Sequence, residues 1–299
     1  IDASTERHTA DYIENQVKDV ITELGISKFT AVIGDNASNM KRMKTNMNKN
    51  YPHILPIGCA AHIINLFIQD LCKLQDISII LKKAKKIALE IKGSAVKLGT
   101  FRKFSKGKCN SLQVPIITRW YSVGAMVNSI IKAKEVLQQL AISSEIKLIN
   151  RDIILNVEFW NQIEELQLIF NPLSEAIGLL EADNSTLSIV PQIFKNIKTS
   201  ILDIDEGTIG NNTQIMELLE SRKNMAIKEW HLLANLIDPN FKGAALTEQE
   251  RFKGEKYMEE YMKVCGYWES LEIRSKIFAS YNEFIACKGN YNRRKYKPL

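Results

Sequence analysis

Phe29-Thr30-Ala31-Val32-Ile33-Gly34-Asp35-Asn36-Ala37-Ser38-Asn39 is the stretch on which the fold turns. Its first half is short, mostly apolar and β-branched, and it follows Gly25, a residue suited to ending a helix. That pattern predicts a buried strand over residues 29–33 in an α/β unit. Asp35 stands just past the strand, where the chain breaks into a polar turn. Asn36 or Ser38 can cap a second, polar helix running to about Asn50.

Working outward, Thr9 and Asp11 open a helix whose apolar positions Ile13, Val17, Val20, Ile21 and Leu24 recur at three- and four-residue spacing, and Gly25 closes it. Downstream, Tyr51-Pro52 ends the second helix. Residues 53–58 read as a second strand, which Pro56 confines to an edge or a terminus. After Cys59 the period becomes helical. Ile63, Ile64, Phe67, Ile68 and Leu71 form one apolar face; Ile77, Ile80, Leu81, Ala84, Ile87, Ala88 and Ile91 form the next, with lysines on its reverse. From there to Leu299 the spacing predicts amphipathic helices broken at Gly93, Gly99, Pro115, Pro172, Pro191 and Pro239, with residues 202–212 the most loop-like. The fold class is therefore α/β, a short α/β part over residues 1–70 followed by a large all-α part over 71–299.

A chain of 299 residues, 45% hydrophobic and 25% charged, can bury the core of one large domain or two ordinary ones. No run approaches the roughly 20 apolar residues that cross a bilayer, and the opening residues are too polar for a signal-peptide core. No membrane partner is expected. The sequence opens on Ile1, which suggests a piece of a longer protein. Cys59, Cys72, Cys109, Cys265 and Cys287 are few, odd in number and dispersed, which fits a reducing, intracellular compartment better than a disulfide scaffold. The net charge of +6 is unevenly spread. Residues 82–108 carry Lys82, Lys83, Lys85, Lys86, Lys92, Lys97, Arg102, Lys103, Lys106 and Lys108 against the single acid Glu90, so the excess positive charge sits in one segment.

Four groups of residues could carry chemistry. A carboxylate past the C-terminal end of a core strand is where α/β sheets present metal ligands and catalytic groups, which singles out Asp35; taken alone, Asp-Asn-Ala-Ser-Asn is more often a turn and a helix cap. Cys59 and His62 have the spacing of half a zinc site, but His53 and Cys72, the nearest further ligands, do not form the usual second pair. The basic segment, including Lys82, Lys83, Lys85, Lys86, Arg102 and Lys103, is either a solvated helix face or a one-sided field that contacts DNA phosphates, with Phe101 and Phe104 stacking or packing beside it. Thr118-Arg119-Trp120-Tyr121 sets a guanidinium beside two large rings, suited to nucleic acid or to an aromatic anchor. No phosphate loop, dinucleotide fingerprint, nucleophile elbow or zinc-protease helix is present.

The run Ala31-Val32-Ile33-Gly34-Asp35-Asn36-Ala37-Ser38-Asn39-Met40, then Tyr51-Pro52, then Gly58-Cys59-Ala60-Ala61-His62-Ile63-Ile64-Asn65-Leu66, then Thr118-Arg119-Trp120 resembles the signature order of hAT-superfamily DNA transposases. The opening Asp2-Ala3-Ser4 with His8-Thr9, and Asn235-Leu236-Ile237-Asp238-Pro239-Asn240-Phe241-Lys242, extend the likeness across residues 2–242. The resemblance implies a partial RNase H-like catalytic core over residues 1–70 and an all-α insertion domain over 71–299. It implies cut-and-paste chemistry on DNA, with two divalent metals, Mg²⁺ or Mn²⁺, held by three separated carboxylates. Asp35 matches the second of these, Cys59 and His62 the segment beside the active site, and Arg119 and Trp120 an insertion motif near the DNA ends. The first acid would precede Asp2 and the final glutamate would follow Leu299, so this chain alone is expected to be incomplete for catalysis. Homo-oligomerisation through regions outside the chain, and a nuclear location, follow from the same likeness. The alternative is a domesticated descendant that binds DNA or proteins without cutting.

Overall fold

The computed structural model describes residues 9–107, 109, 111–115, 122–204 and 212–288. Its elements in chain order are α1 (Ala10–Leu24), β1 (Ala31–Gly34), α2 (Ser38–Asn50), β2 (Leu55–Gly58), α3 (Ala60–Lys73), α4 (Gln75–Lys92), α5 (Ala95–Ser105), α6 (Ser122–Lys132), α7 (Lys134–Ile142), α8 (Arg151–Leu155), α9 (Val157–Glu181), α10 (Ile189–Leu202), α11 (Asn212–Ala226), α12 (Glu229–Ile237), α13 (Glu248–Val264) and α14 (Leu271–Ile285). Helix dominates. Among the described residues the only sheet is the parallel pair β1 and β2, which by itself does not define an RNase H-like core.

Two compact units form. One takes in the described parts of Ile1–His62, Thr186–Gln192 and Met225–Leu299; the other those of Ile63–Ser185 and Ile193–Asn224. The change of period places a division near Leu71, whereas α3 runs unbroken through that residue and the units part after His62.

In the first unit, α1 begins as its sequence dictates: Thr9 Oγ1 accepts from the Tyr12 amide at 3.2 Å, and Gly25, at φ 98°, closes the helix. A single 3₁₀ turn, Ile26–Lys28, then delays the strand, so β1 occupies Ala31–Gly34 rather than residues 29–33. β1, α2 and β2 make a parallel β-α-β unit in which Ala31 pairs with Leu55, Val32 with Pro56, Ile33 with Ile57 and Gly34 with Gly58. Pro56 is tolerated because each strand of a two-stranded sheet has an unpaired edge. The core under this unit joins Ala10 and Ile21 of α1 to Met43 and Met47 of α2 and to Ile54, with Ile13, Val17 and Val32 packed around them. Each fully buried side chain of this size contributes about 1.5–3 kcal/mol by leaving water.

The same unit contains α12 and α13, which approach closely where Gly254 faces Leu232 and Leu236; a Cβ at Gly254 would lie 2.6 Å from Leu236 Cδ1. The segment Asn235–Lys242 acts here as a tied turn. Asn235 is fully buried and donates through Nδ2 to the Ser188 carbonyl at 2.7 Å. Asp238 accepts from the Asn240 amide at 2.8 Å and from Ser188 Oγ at 2.5 Å. Thr247 and Glu250 then start α13 with a reciprocal capping box.

In the second unit, the expected apolar stripe of α4 is buried at every position from Ile77 to Ile91. It packs among α5, α6 and α9. Gly124 lets α6 approach α9, since a Cβ there would sit 2.7 Å from Ser174 Oγ. Asn128 ties the same helices, donating to Asn171 Oδ1 at 2.9 Å and accepting from Gln167 at 2.5 Å. Three expected breaks are absent. Gly99 lies inside α5. Pro191 sits in the first turn of α10, where no intrahelical amide bond is required. Pro172 lies within the 25-residue α9; the carbonyl four residues before it belongs to Leu168, a residue 54% exposed.

Candidate functional site

The parallel register brings Gly34 and Gly58 side by side, so the residues that follow them, Asp35 and Cys59, leave adjacent strand ends. The Cys59 amide donates to the Gly34 carbonyl at 2.8 Å and extends the ladder by one bond. Asp35 is exposed, and its Oδ1 accepts from the Ala37 amide at 3.0 Å, closing a two-residue turn before α2. Ala37 is consequently the N-cap, and neither Asn36 nor Ser38 supplies the side-chain cap expected of it. Asn36 is used elsewhere: a Cβ on Gly58 would lie 2.7 Å from Asn36 Oδ1, so the glycine makes room for that side chain. Gly34 likewise faces the Met40 methyl, the far end of a flexible side chain that would have to shift to admit a Cβ.

Beneath these loops lies a residue the sequence reading passed over. Lys44, 3% exposed, donates from Nζ to the carbonyls of Gly34 at 3.0 Å, Asp35 at 3.0 Å and Ile57 at 2.9 Å. Burial pushes its ammonium below the ordinary lysine range, while the charges of Asp35 and Cys59 oppose that shift. The signal for it was present: Met40, Met43, Lys44 and Met47 share one helical stripe, and a lysine on a buried stripe needs a partner.

His62 lies half-buried in the first turn of α3, three residues after the half-buried Cys59. His53 Nε2 lies 3.4 Å from the Ile26 carbonyl, and burial pushes the Cys72 thiol up to about 12. Among the described residues no three His, Cys, Asp or Glu side chains converge on a point that could hold a metal ion.

The basic segment belongs to the second unit. Lys82, Lys85 and Lys86 are exposed and Lys83 half-buried on the reverse of α4; Arg102 and Lys103 are exposed on α5. Part of the charge is committed to structure. Lys97 pairs with Glu90 at 2.5 Å, Lys92 donates to the Leu112 carbonyl at 3.2 Å, and Lys103 holds both oxygens of Glu145 at 3.0 Å. Lys82, Lys83, Lys85 and Lys86 form no ion pair among the described residues. Phe101 is buried at 1% exposure and therefore packs; Phe104 remains half-buried. Lys108, Thr118, Arg119, Trp120 and Tyr121 lie outside the described residues, as do Asp2, Ala3, Ser4 and His8.

Glu90, the one acid of this segment, faces inward with a side chain only 6% exposed. It accepts from Lys97, from the Ile149 amide at 2.6 Å, and from the Asn150 amide and side chain at 2.9 and 2.7 Å. It therefore ties α4 to α5 and to the turn before α8, and leaves the outward lysines unneutralised.

A β-α-β unit with an acid past its first strand thus continues in sequence into helices whose outward lysines form no ion pair among the described residues. Two family models match the chain. A domain of unknown function, DUF659, matches residues 1–87, and the ZBED1 RNase-like helical domain matches residues 57–169. The chain is related to the hAT-type transposases. No curated protein matches it.

Proposed function

We propose that the chain is part of a cut-and-paste hAT-type DNA transposase, residues 1–70 belonging to an RNase H-like catalytic core and residues 71–299 to its helical insertion. The observation that carries the reading is the placement of Asp35 past the C-terminal end of β1, beside the end of a parallel neighbour, in a chain related to this family. Its carboxylate is a hard oxygen ligand of the kind Mg²⁺ or Mn²⁺ takes. The described residues do not by themselves fit a two-metal site, since no second and third acid join Asp35. Asp35 is accordingly proposed as one ligand of a site that residues beyond those described complete, with Cys59 and His62 beside it.

DNA is the proposed partner. The outward lysines of α4, with Arg102 and Lys103 of α5 and with Arg119 and Trp120, are the proposed contacts, made mainly to phosphates. A nuclear location and self-association belong to the same proposal. No described helix is long and apolar enough to cross a membrane.

The experiment is a cleavage assay with the full-length protein on duplex DNA carrying the ends of its own element, with and without Mg²⁺. Divalent-dependent nicking at the element ends is expected. Specific binding without nicking under those conditions would favour the domesticated, non-cutting descendant.

A further inference from the structure

The ammonium of Lys44 has three protons to donate, and all three go to backbone carbonyls at the ends of the two strands: Gly34, the last residue of β1; Asp35 itself; and Ile57, the penultimate residue of β2. Burying a charge at 3% exposure is unfavourable unless every donor is satisfied, and an apolar side chain of the same length would fill the space without that cost. Packing alone therefore does not call for lysine. What a methionine at this position could not do is hold the turn after β1 and the end of β2 at a fixed separation.

We propose that Lys44 is the positioning residue of the candidate site. Its ammonium joins the C-terminal ends of β1 and β2 and so fixes the backbone from which Asp35 and Cys59 leave the sheet. Helix α2 is the lever. Ser38–Asn50 is anchored at Met43 and Met47 in the apolar core, so Lys44, between them, transmits the position of that core to the loop bearing Asp35. The functional part of the proposal rests on the reading of Asp35 as an active-site acid; the geometric part does not.

Two amides report on the geometry directly, that of Ala37, bonded to Asp35 Oδ1, and that of Cys59, bonded to the Gly34 carbonyl. Hydrogen exchange is measured at both in the 299-residue chain. Lys44→Met is expected to accelerate exchange at least tenfold at each while the amides of α13 keep their protection. Lys44→Gln, which retains at most two donors, serves if the Met variant does not fold. Exchange unchanged at both amides in either folded variant overturns the proposal. In the full-length protein, single-turnover cleavage is expected to fall at least a hundredfold in Lys44→Met with DNA affinity within twofold. Lys44→Arg, which keeps the charge and donors, is expected to retain at least tenfold more activity than the Met variant. Equal loss in the Arg and Met variants overturns the assignment to the ammonium. Parental cleavage by Asp35→Asn would instead remove the reading of Asp35 and leave the exchange result for Lys44 standing.

Discussion

Glu90→Ala tests how the second unit is held together beneath its basic face. Four hydrogen bonds converge on a carboxylate only 6% exposed, from Lys97, the Ile149 amide, and the amide and side chain of Asn150. Bonds to a charged group contribute about 1.5–3 kcal/mol each, but Ile149 is 84% exposed and water can replace its share. Removing one partner of a buried pair costs about 3–5 kcal/mol, and that is the expected loss. The assay is urea unfolding followed by fluorescence of Trp160, which is 1% exposed in α9, with Trp120, Trp230 and Trp268 replaced by Phe. Acid supplies a second check. Burial raises the Glu90 pKa, but the bonds from Lys97, Ile149 and Asn150 outweigh it and hold the carboxyl below its ordinary 4.5. A depressed carboxylate contributes stability that is fully present above the unfolded value and lost as pH falls through the folded one. The gap between parent and Glu90→Gln should therefore be constant above pH 4.5 and close below it. A loss under about 1 kcal/mol for the Ala variant at neutral pH, less than one ordinary hydrogen bond, would refute the reasoning.

His231, 1% exposed, accepts the Lys228 amide at Nδ1 at 3.1 Å, and burial, aided by the Lys228 charge, lowers its pKa to about 4. The folded state keeps it neutral, so stability is complete above the unfolded value of 6.5 and falls as pH drops toward about 4. The total is about 3 kcal/mol, read from urea midpoints against His231→Gln, and a parallel pH dependence of the two proteins would contradict it. Replacing Lys82, Lys83, Lys85 and Lys86 together by Ala should leave folding within about 0.5 kcal/mol per site. In the full-length protein it should weaken DNA binding for most sequences alike and flatten the salt dependence by up to about 0.9 for each phosphate no longer neutralised. Anisotropy titrations over a range of KCl that show an unchanged slope return α4 to a plain solvated face.

The parts of the fold that were legible in the sequence are those fixed locally. Thr9 and Gly25 bound α1 because a cap and a positive-φ glycine act within one turn. The α4 stripe is legible because burial repeats every three or four residues. Pro172 and Pro191 misled, since a proline ends a helix only when the lost bond was needed and cannot be replaced. The cap at Asn36 or Ser38 failed because Asp35 closes the turn before α2, while the Asn36 side chain lies in the space that Gly58 leaves open. At the site, Asp35 was legible from its place after a strand. Lys44 was legible only as a lysine on a buried stripe; its partners, the carbonyls of residues 34, 35 and 57, were not, because only the β-α-β crossover brings them together.

The central claim, that Asp35 serves an active site of a transposase, is tested most directly by Asp35→Asn in the full-length protein. Asparagine keeps an Oδ1 able to accept the Ala37 amide, so the turn before α2 survives at nearly constant volume. If Asp35 only closes that turn, the change costs about 1 kcal/mol or less and cleavage persists. The result expected is loss of strand cleavage at the element ends, with circular dichroism, thermal midpoint and DNA affinity unchanged. Near-parental cleavage by the Asn variant of a demonstrably active parent would contradict it.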